Sequence, residues 1–431
     1  MAPLSFFQTH HNNMELKRVV VTGLGAVTPI GNDVPTFWDN LLKGVSGATR
    51  ITYFDPTLYK SAIACEVKNF EVEKYFDRKE ARKLDRFVHY AVAAAQEAIQ
   101  DSGLNLEEED KNRIGVVLGV GVGGVGYFQE AVAENTLNEA DGPRYSPFFV
   151  PKMIADMSTG MISIRYGLAG PNYVCTAACA SSTIALSDAF NLIRLGKANV
   201  MVTGGSEAAV TKAGMGGFAA LHALSTRNDS PETASRPFSA SRDGFVLGEG
   251  SGILILEELE HAKARGAKIY AELAGTGLTA DAYHMTASHP EGIGAVRAMQ
   301  EALDDAGLKP EDVDYINTHG TSTPVGDVSE VKAILTLFGE HAYKLSIDST
   351  KSMTGYLLGA AGAIEAVATV LAVKNDVIPP TINHDPEDKD ENIDYNLDFT
   401  FGKSKQRTVR AAITNNFGFG GHNASALFKK Y

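Results

Sequence analysis

The chain has 431 residues, 44% of them hydrophobic and 21% charged, which suffices to bury a large core and suggests two compact units or one unit duplicated. Its net charge of −13 argues against general nucleic-acid affinity, which depends on neutralising phosphates with Lys and Arg. Three cysteines with no C-x-x-C pair argue against a disulfide framework or a cysteine zinc site and fit a reducing cytoplasm.

In chain order, residues 1–13 lack the basic start and sustained apolar stretch of a signal peptide. They read as a disordered or appended extension, with Met14 as the more natural beginning. No run of 18 or more apolar residues suggests membrane insertion. A strand is predicted at Arg18–Thr22, then a helix at Lys83–Ser102 and a strand at Ile114–Leu118. The glycines of 119–126 follow directly. Gly119-Val-Gly121-Val-Gly-Gly124 satisfies G-x-G-x-x-G, but in so glycine-rich a chain it reads as a loop shaping a pocket rather than a dinucleotide fingerprint.

Cys175-Thr-Ala-Ala-Cys179-Ala-Ser-Ser-Thr then runs into a helix predicted over Ser181–Leu195. Small neighbours permit a sharp turn, and a thiol at a helix start is expected to have a lowered pKa, so Cys179 is a candidate nucleophile. Free cysteine is also among the most buried residue types, and for Cys65 and Cys175 burial is the simpler reading. Strands follow at Val200–Thr203, Gly252–Leu256 and Ile269–Ala274, then a helix at Ala295–Ala306. Beyond the short strand Tyr315–Asn317 comes Thr-His319-Gly-Thr321-Ser-Thr323, an imidazole among hydroxyls suited to a polar ligand. Helices at Val328–Phe338 and Ala363–Lys374 and a strand at Val409–Thr414 complete the pattern of a layered α/β protein. Phe419 lies between glycines and has freedom to swing as a gate, or to plug an ordinary turn. Arg18-Val-Val-Val-Thr-Gly-Leu-Gly and Lys268-Ile-Tyr-Ala-Glu-Leu-Ala-Gly-Thr-Gly are faintly alike, and each half later places small residues before an apolar helix, a weak sign of duplication near residue 266.

Four long segments, RPFSASRDGFVLGEGSG at 236–252, THGTSTPVGD at 318–327, STKSMTG at 349–355 and FGFGG at 417–421, make the chain resemble the elongating β-ketoacyl-acyl-carrier-protein synthases of the thiolase superfamily. The resemblance runs from about Glu15 to Lys430. It implies a thiolase-like α/β/α/β/α fold of two duplicated halves, 14–265 with the nucleophile and 266–431 with the catalytic histidine, normally as a homodimer. It implies decarboxylative condensation of a Cys179 thioester with malonyl-acyl-carrier protein, in fatty-acid or related polyketide-type biosynthesis, with no metal or redox cofactor. By motif position, the backbone amides of Cys179 and Phe419 form the oxyanion hole and His319 assists decarboxylation. Lys351 and Glu365 are the charged pair behind the site. Thr321 and Thr323 hold the phosphopantetheine arm, while Val122, Phe149 and Phe218 line the acyl pocket. Thr286 completes the expected substrate-binding set, and Lys79, Arg82 and Lys83 resemble the patch that docks the acidic carrier protein, although a charge run is also an ordinary solvated face.

Two positions depart from the family pattern. Tyr356 stands where elongating members carry a second catalytic histidine, and it keeps one O–H donor but has no cationic form. His422 stands in place of a threonine, from where an imidazole is expected to re-enter the site and compensate. An active ketosynthase, an acyltransferase poor in decarboxylation and a non-catalytic subunit resembling a chain-length factor all remain open, and retention of Cys179 argues against the last.

Overall fold

The computed structural model describes residues 16–138 and 142–431, so the expectation for residues 1–13 lies outside the described residues. Ten strands build one mixed sheet: β1 Val19–Val27, β2 Ile114–Gly119, β3 Asn172–Cys175, β4 Val200–Glu207, β5 Gly250–Glu258, β6 Ala271–Ala280, β7 Tyr315–Asn317, β8 Ser346–Asp348, β9 Ala411–Gly418 and β10 His422–Lys429. Their order is β8-β7-β9-β10-β6-β1-β5-β4-β2-β3. Counted from its own first strand, each group of five has the order third-second-fourth-fifth-first. In each, the fifth strand pairs antiparallel with the first and fourth, and the second pairs parallel with the third and fourth. The groups join where β1 pairs antiparallel with β6, Val19 opposite Leu273. The faint likeness of the Arg18 and Lys268 segments therefore marks topologically equivalent strands.

Five long helices cover and fill this frame: α1 Arg86–Ser102, α2 Ser181–Arg194, α3 Ile293–Ala306, α4 Pro324–Phe338 and α5 Ala361–Asn375. The first, α1, packs on β1 and β5, whereas α3 packs on β6 and β10 and carries α4 on its side. Between them, α2 and α5 touch each other and strands of both groups, which makes them the middle layer of α/β/α/β/α. Every residue of α5 from Ala361 to Val373 is buried. This stretch passes for a membrane span by length and apolarity, yet 89% of its window is covered by the protein, so its hydrophobicity serves the core.

Local chemistry sets the element ends. Asp85 caps α1 by accepting from the Phe87 N–H, so the helix starts three residues after the Lys83 expected from periodicity, and Gly103 at φ +66° closes it. The glycine loop after β2 does lead from a strand into a helix, Val125–Leu137, the setting a dinucleotide fingerprint needs. Its donors are already used. The buried carboxyl group of Glu207 accepts from the N–H groups of Gly121 at 2.8 Å, Gly123 at 3.2 Å and Gly359 at 3.2 Å, so an internal side chain fills the cradle.

Candidate active site

The nucleophile candidate sits on a turn between β3 and α2. Ala178 adopts φ +48°, and Ser181 closes the turn by accepting from the Ala177 N–H at 2.9 Å while its hydroxyl donates to the Ala178 carbonyl at 2.6 Å. Cys179 itself is buried at 7% exposure. It lines a cavity of about 380 Å³ together with His319, Tyr356, Thr321, Thr323 and the segment Phe417–Phe419. Residues separated by 240 positions are thus brought to one site from strand ends of both groups.

Burial pushes the Cys179 thiol up, while the Tyr356 hydroxyl, the Phe419 N–H and the charge of Lys351 pull it partly back. The lowered thiol expected from the helix start is corrected accordingly: desolvation outweighs the favourable groups. The Phe417–Phe419 segment lies against the nucleophile turn because Gly418 has no side chain. A Cβ there would lie 2.8 Å from the Ala177 carbonyl oxygen and 3.1 Å from the Cys179 nitrogen, so the glycine lets the loop press on the nucleophile turn.

His319 follows β7. Its backbone N–H and that of Gly320 each donate to the Glu330 carboxylate on α4 at 2.9 Å, which fixes the turn. The Tyr356 hydroxyl oxygen lies 3.4 Å from His319 Nε2, at hydrogen-bond distance, and Nδ1 is buried with no partner among the described residues. Burial, and the nearby charge of Lys351, hold the imidazole pKa well below its ordinary 6.5, so the ring is neutral at pH 7. Lys351 begins the turn after β8 and forms a fully buried ion pair with Glu365 of α5, whose other oxygen accepts from Asn416 Nδ2 at 2.7 Å.

Thr321 and Thr323 share a hydrogen bond at 3.0 Å on the cavity wall, and Thr286 faces the same space. Phe218 is half-buried and stands edge-on to Phe245 at 5.5 Å, which in turn stands edge-on to Tyr356 at 5.0 Å. Phe218 thus backs the site through one intervening ring. Val122 and Phe149 lie outside this cavity: Val122 is exposed on the glycine loop, and Phe149 packs among Tyr127, Phe128 and Tyr145. His422 also lies outside it. Exposed as the first residue of β10, across from Gly418, it does not line the cavity, and the expected compensation for Tyr356 is withdrawn. Strand pairing fixes that backbone and leaves its side chain to solvent.

Sequence reasoning missed Phe245, Glu207 and Glu330. Phe245 lies inside the 236–252 segment, so its neighbourhood was marked although its contact with Tyr356 was not. Glu330 carries the better signal, a carboxylate on the buried face of α4. Nothing near Glu207 distinguishes it from a surface glutamate.

Lys79, Arg82 and Lys83 cluster at the short helix Arg78–Ala81, all three exposed and none ion-paired among the described residues. Among the described residues, no three His, Cys, Asp or Glu side chains group to hold a metal ion.

Comparison with known proteins places the whole chain. Residues 16–262 match the family model described as beta-ketoacyl synthase, N-terminal domain, and residues 270–385 its C-terminal domain. The chain is 51% identical to the 3-oxoacyl-[acyl-carrier-protein] synthase 2 of Staphylococcus aureus (strain COL), over 96% of this chain and 99% of that one. It is likewise 51% identical to the protein of that name from Synechocystis sp., over 97% and 99%. Among solved structures, a beta-ketoacyl synthase from Burkholderia phymatum superposes with a TM-score of 0.88 at 35% identity, covering 96% of this chain and all of that one. A ketosynthase bound to the hexaketide, in complex with its type II PKS acyl-carrier protein, does so with 0.88 at 34% identity and the same coverage. With both family models matched and half of its residues shared with relatives along almost their entire length, the chain belongs to the β-ketoacyl synthase family.

Proposed function

We propose that this protein catalyses decarboxylative Claisen condensation between an acyl chain held on Cys179 and malonyl-acyl-carrier protein, giving β-ketoacyl-acyl-carrier protein in fatty-acid or related polyketide-type biosynthesis. The observation that carries the reading is the shared cavity: a thiol, a neutral imidazole and a backbone N–H on the thiol face one space that opens past two threonine hydroxyls. The acyl group passes from the carrier to the sulfur, and the oxygen of the tetrahedral intermediate is held by the N–H groups of Cys179 and Phe419. The malonyl thioester then enters along Thr321 and Thr323, with Thr286 lining the same cavity. Loss of carbon dioxide leaves an enolate whose oxygen takes hydrogen bonds from His319 and Tyr356, and its carbon attacks the acyl thioester, breaking the acyl carbon–sulfur bond and releasing Cys179 for the next turnover. Lys351 and Glu365 hold the field behind the site. The reaction itself requires no metal or redox cofactor, because the donor carbanion arises by decarboxylation. Supplying acyl-carrier protein and malonyl-carrier protein tests this reading. New β-ketoacyl product supports it; a stable acyl-enzyme without product leaves an acyltransferase, and absence of both leaves a non-catalytic subunit.

The pH dependence follows from the neutral imidazole. His319 takes up a proton only after pH has fallen past its lowered pKa, and only then ceases to be the neutral imidazole on which the reaction depends. The acid limb of kcat/KM for condensation is therefore expected below pH 6.5. A limb centred at or above 6.5 contradicts the assignment of His319.

Lys79, Arg82 and Lys83 supply the docking surface for the acidic carrier protein. Reversing all three to glutamate is expected to raise KM for carrier-borne substrate by roughly 10- to 10³-fold at low salt, and less at high salt, where exposed charges are screened. Turnover of a short pantetheine thioester stays unchanged. Equal losses for both substrates, measured side by side, count against docking.

The active form is a cytoplasmic homodimer whose halves meet near residue 266, a boundary supported by the break between the family matches at 262 and 270. Its interface is the open edge of β3, where Asn172 and Tyr173 are exposed and Phe148, Val150 and Ile164 present apolar side chains nearby in sequence. An unpaired edge with such side chains is a pairing surface. Val122 and Phe149, outside the single-chain cavity, complete the acyl pocket once the second copy is seated.

A further inference from the structure

We propose that Glu207 sets the length of acyl chain the enzyme accepts, as the positioning residue that holds the glycine loop carrying Val122. The inference rests on the reading that Val122 lines the acyl pocket.

The loop hangs on this one side chain. At its two ends the N–H groups go to backbone carbonyls, Val120 to Cys175 and Gly124 to Met153, each at 3.1 Å. The three N–H groups between them all turn to the carboxyl group of Glu207, the last residue of β4. Gly121 reaches Oε2 at 2.8 Å, Gly123 reaches Oε1 at 3.2 Å, and the Val122 nitrogen lies 3.3 Å from each oxygen. Successive N–H groups that converge in this way make a cradle for an acceptor oxygen. Gly123, at φ +62°, supplies the left-handed residue that such a curl needs. Oε2 also accepts from Gly359 at 3.2 Å, three residues beyond Tyr356, so the same group ties the loop to the segment that carries Tyr356.

The hold is internal. Glu207 is fully buried, whereas Val122 is 47% exposed, so packing of the valine side chain does little to fix it within one chain. The loop also starts against the nucleophile helix: a Cβ on Gly119 would lie 2.2 Å from the Ser182 nitrogen, at the first turn of α2. Val122 therefore stands three residues from a point in direct contact with the helix that follows Cys179. A wall discriminates chain length only if it stays in place. One methylene in a hydrophobic pocket is worth roughly 10- to 200-fold in kcat/KM, and a wall that moves loses most of that.

Two variants release the loop from opposite sides. Glu207→Gln keeps the size of the side chain. Its oxygen can still accept from Gly121 and Gly359, but its amide N–H groups then face those of Val122 and Gly123, which are donors too. Gly121→Ala leaves Glu207 in the chain but displaces it, because a Cβ there would lie 2.5 Å from Oε2.

The experiment measures kcat/KM for acylation of Cys179 in the full-length protein, by intact mass, with acyl-carrier proteins bearing straight chains that lengthen in two-carbon steps. Wild type is expected to show an upper length limit. In both variants, discrimination between the last accepted chain and the next longer one is expected to fall by at least about tenfold. Equal losses at every length, wild-type discrimination in Glu207→Gln, or a wild-type profile with no limit overturns the proposal. Should both variants fail to fold, amide exchange of residues 120–125 in wild type decides: slow exchange supports the hold, and exchange as fast as in an open loop overturns it. Val122→Phe is expected to shorten the limit. A limit that Val122→Phe leaves unmoved refutes the acyl-pocket reading and the inference with it. A limit that it moves while Glu207→Gln does not refutes the role of Glu207 alone.

Discussion

Cys179→Ala is expected to abolish acyl-enzyme formation and condensation together, by on the order of 10⁶ in turnover, the scale on which removing a nucleophile disables a concerted constellation. On the turn between β3 and α2, Ala177, Ala178 and Ala180 offer no nucleophile, and the Thr176 hydroxyl is engaged with the Val120 carbonyl at 3.0 Å, which leaves the sulfur. The substitution removes one atom from a site already framed by small residues, so the fold persists and the loss reports chemistry. Cys179→Ser separates two parts of the assignment. Serine preserves size and the backbone N–H, but its hydroxyl is far less acidic than a thiol, so a residual acylation much below wild type is expected. Purified variants assayed for acyl-enzyme by intact mass and for β-ketoacyl product check this. Turnover of the alanine variant within a hundredfold of wild type rules out the thioester route.

Glu365→Gln is expected to destabilise the protein by roughly 3–5 kcal/mol, because it leaves the ammonium of Lys351 buried without a counter-charge. Each side chain of this pair is only 2% exposed, so water cannot substitute for the lost partner. The reciprocal change is milder for a physical reason. With Lys351→Met the orphan is a carboxylate whose pKa burial already raises, and it can take a proton and become neutral. That variant keeps more stability, yet it loses the charge that pulls the Cys179 thiol partly back down and that adds to burial in lowering the His319 imidazole. Chemical denaturation of both variants, paired with the pH dependence of iodoacetamide alkylation, separates the effects. A loss below about 1 kcal/mol in Glu365→Gln indicates that the charges are not a coupled buried pair.

The layered body was legible wherever apolar runs were continuous. Ile114–Leu118 and Val200–Thr203 are strands covered on both faces, and both lie within β2 and β4. Three strands gave no such signal. Asn172–Cys175 is a partly exposed edge, Ser346–Asp348 has three residues, and His422–Lys429 alternates small and polar groups that pack only because neighbouring strands and α3 cover them. Of the site, the segments were visible because they combine glycines with hydroxyls, thiol or imidazole at loop positions. What local sequence cannot carry is which segments meet. Tyr356 against Cys179 and His319 is a contact between loops 37 or more residues apart, and the raised thiol pKa depends on burial that exists only once both groups of strands close over it. The misplaced His422 has the same origin: proximity in a glycine loop was read as proximity to the cavity, whereas pairing of β10 with β9 turns that residue outward.

The most direct test loads the protein with a labelled acyl group from acyl-carrier protein, maps the labelled peptide by mass spectrometry, and then adds malonyl-carrier protein. The acyl mass is predicted on Cys179 alone, to be discharged by the malonyl carrier with release of carbon dioxide and appearance of a β-ketoacyl chain two carbons longer. An acyl mass on any other residue, or an acyl group on Cys179 that malonyl-carrier protein never removes, contradicts the account.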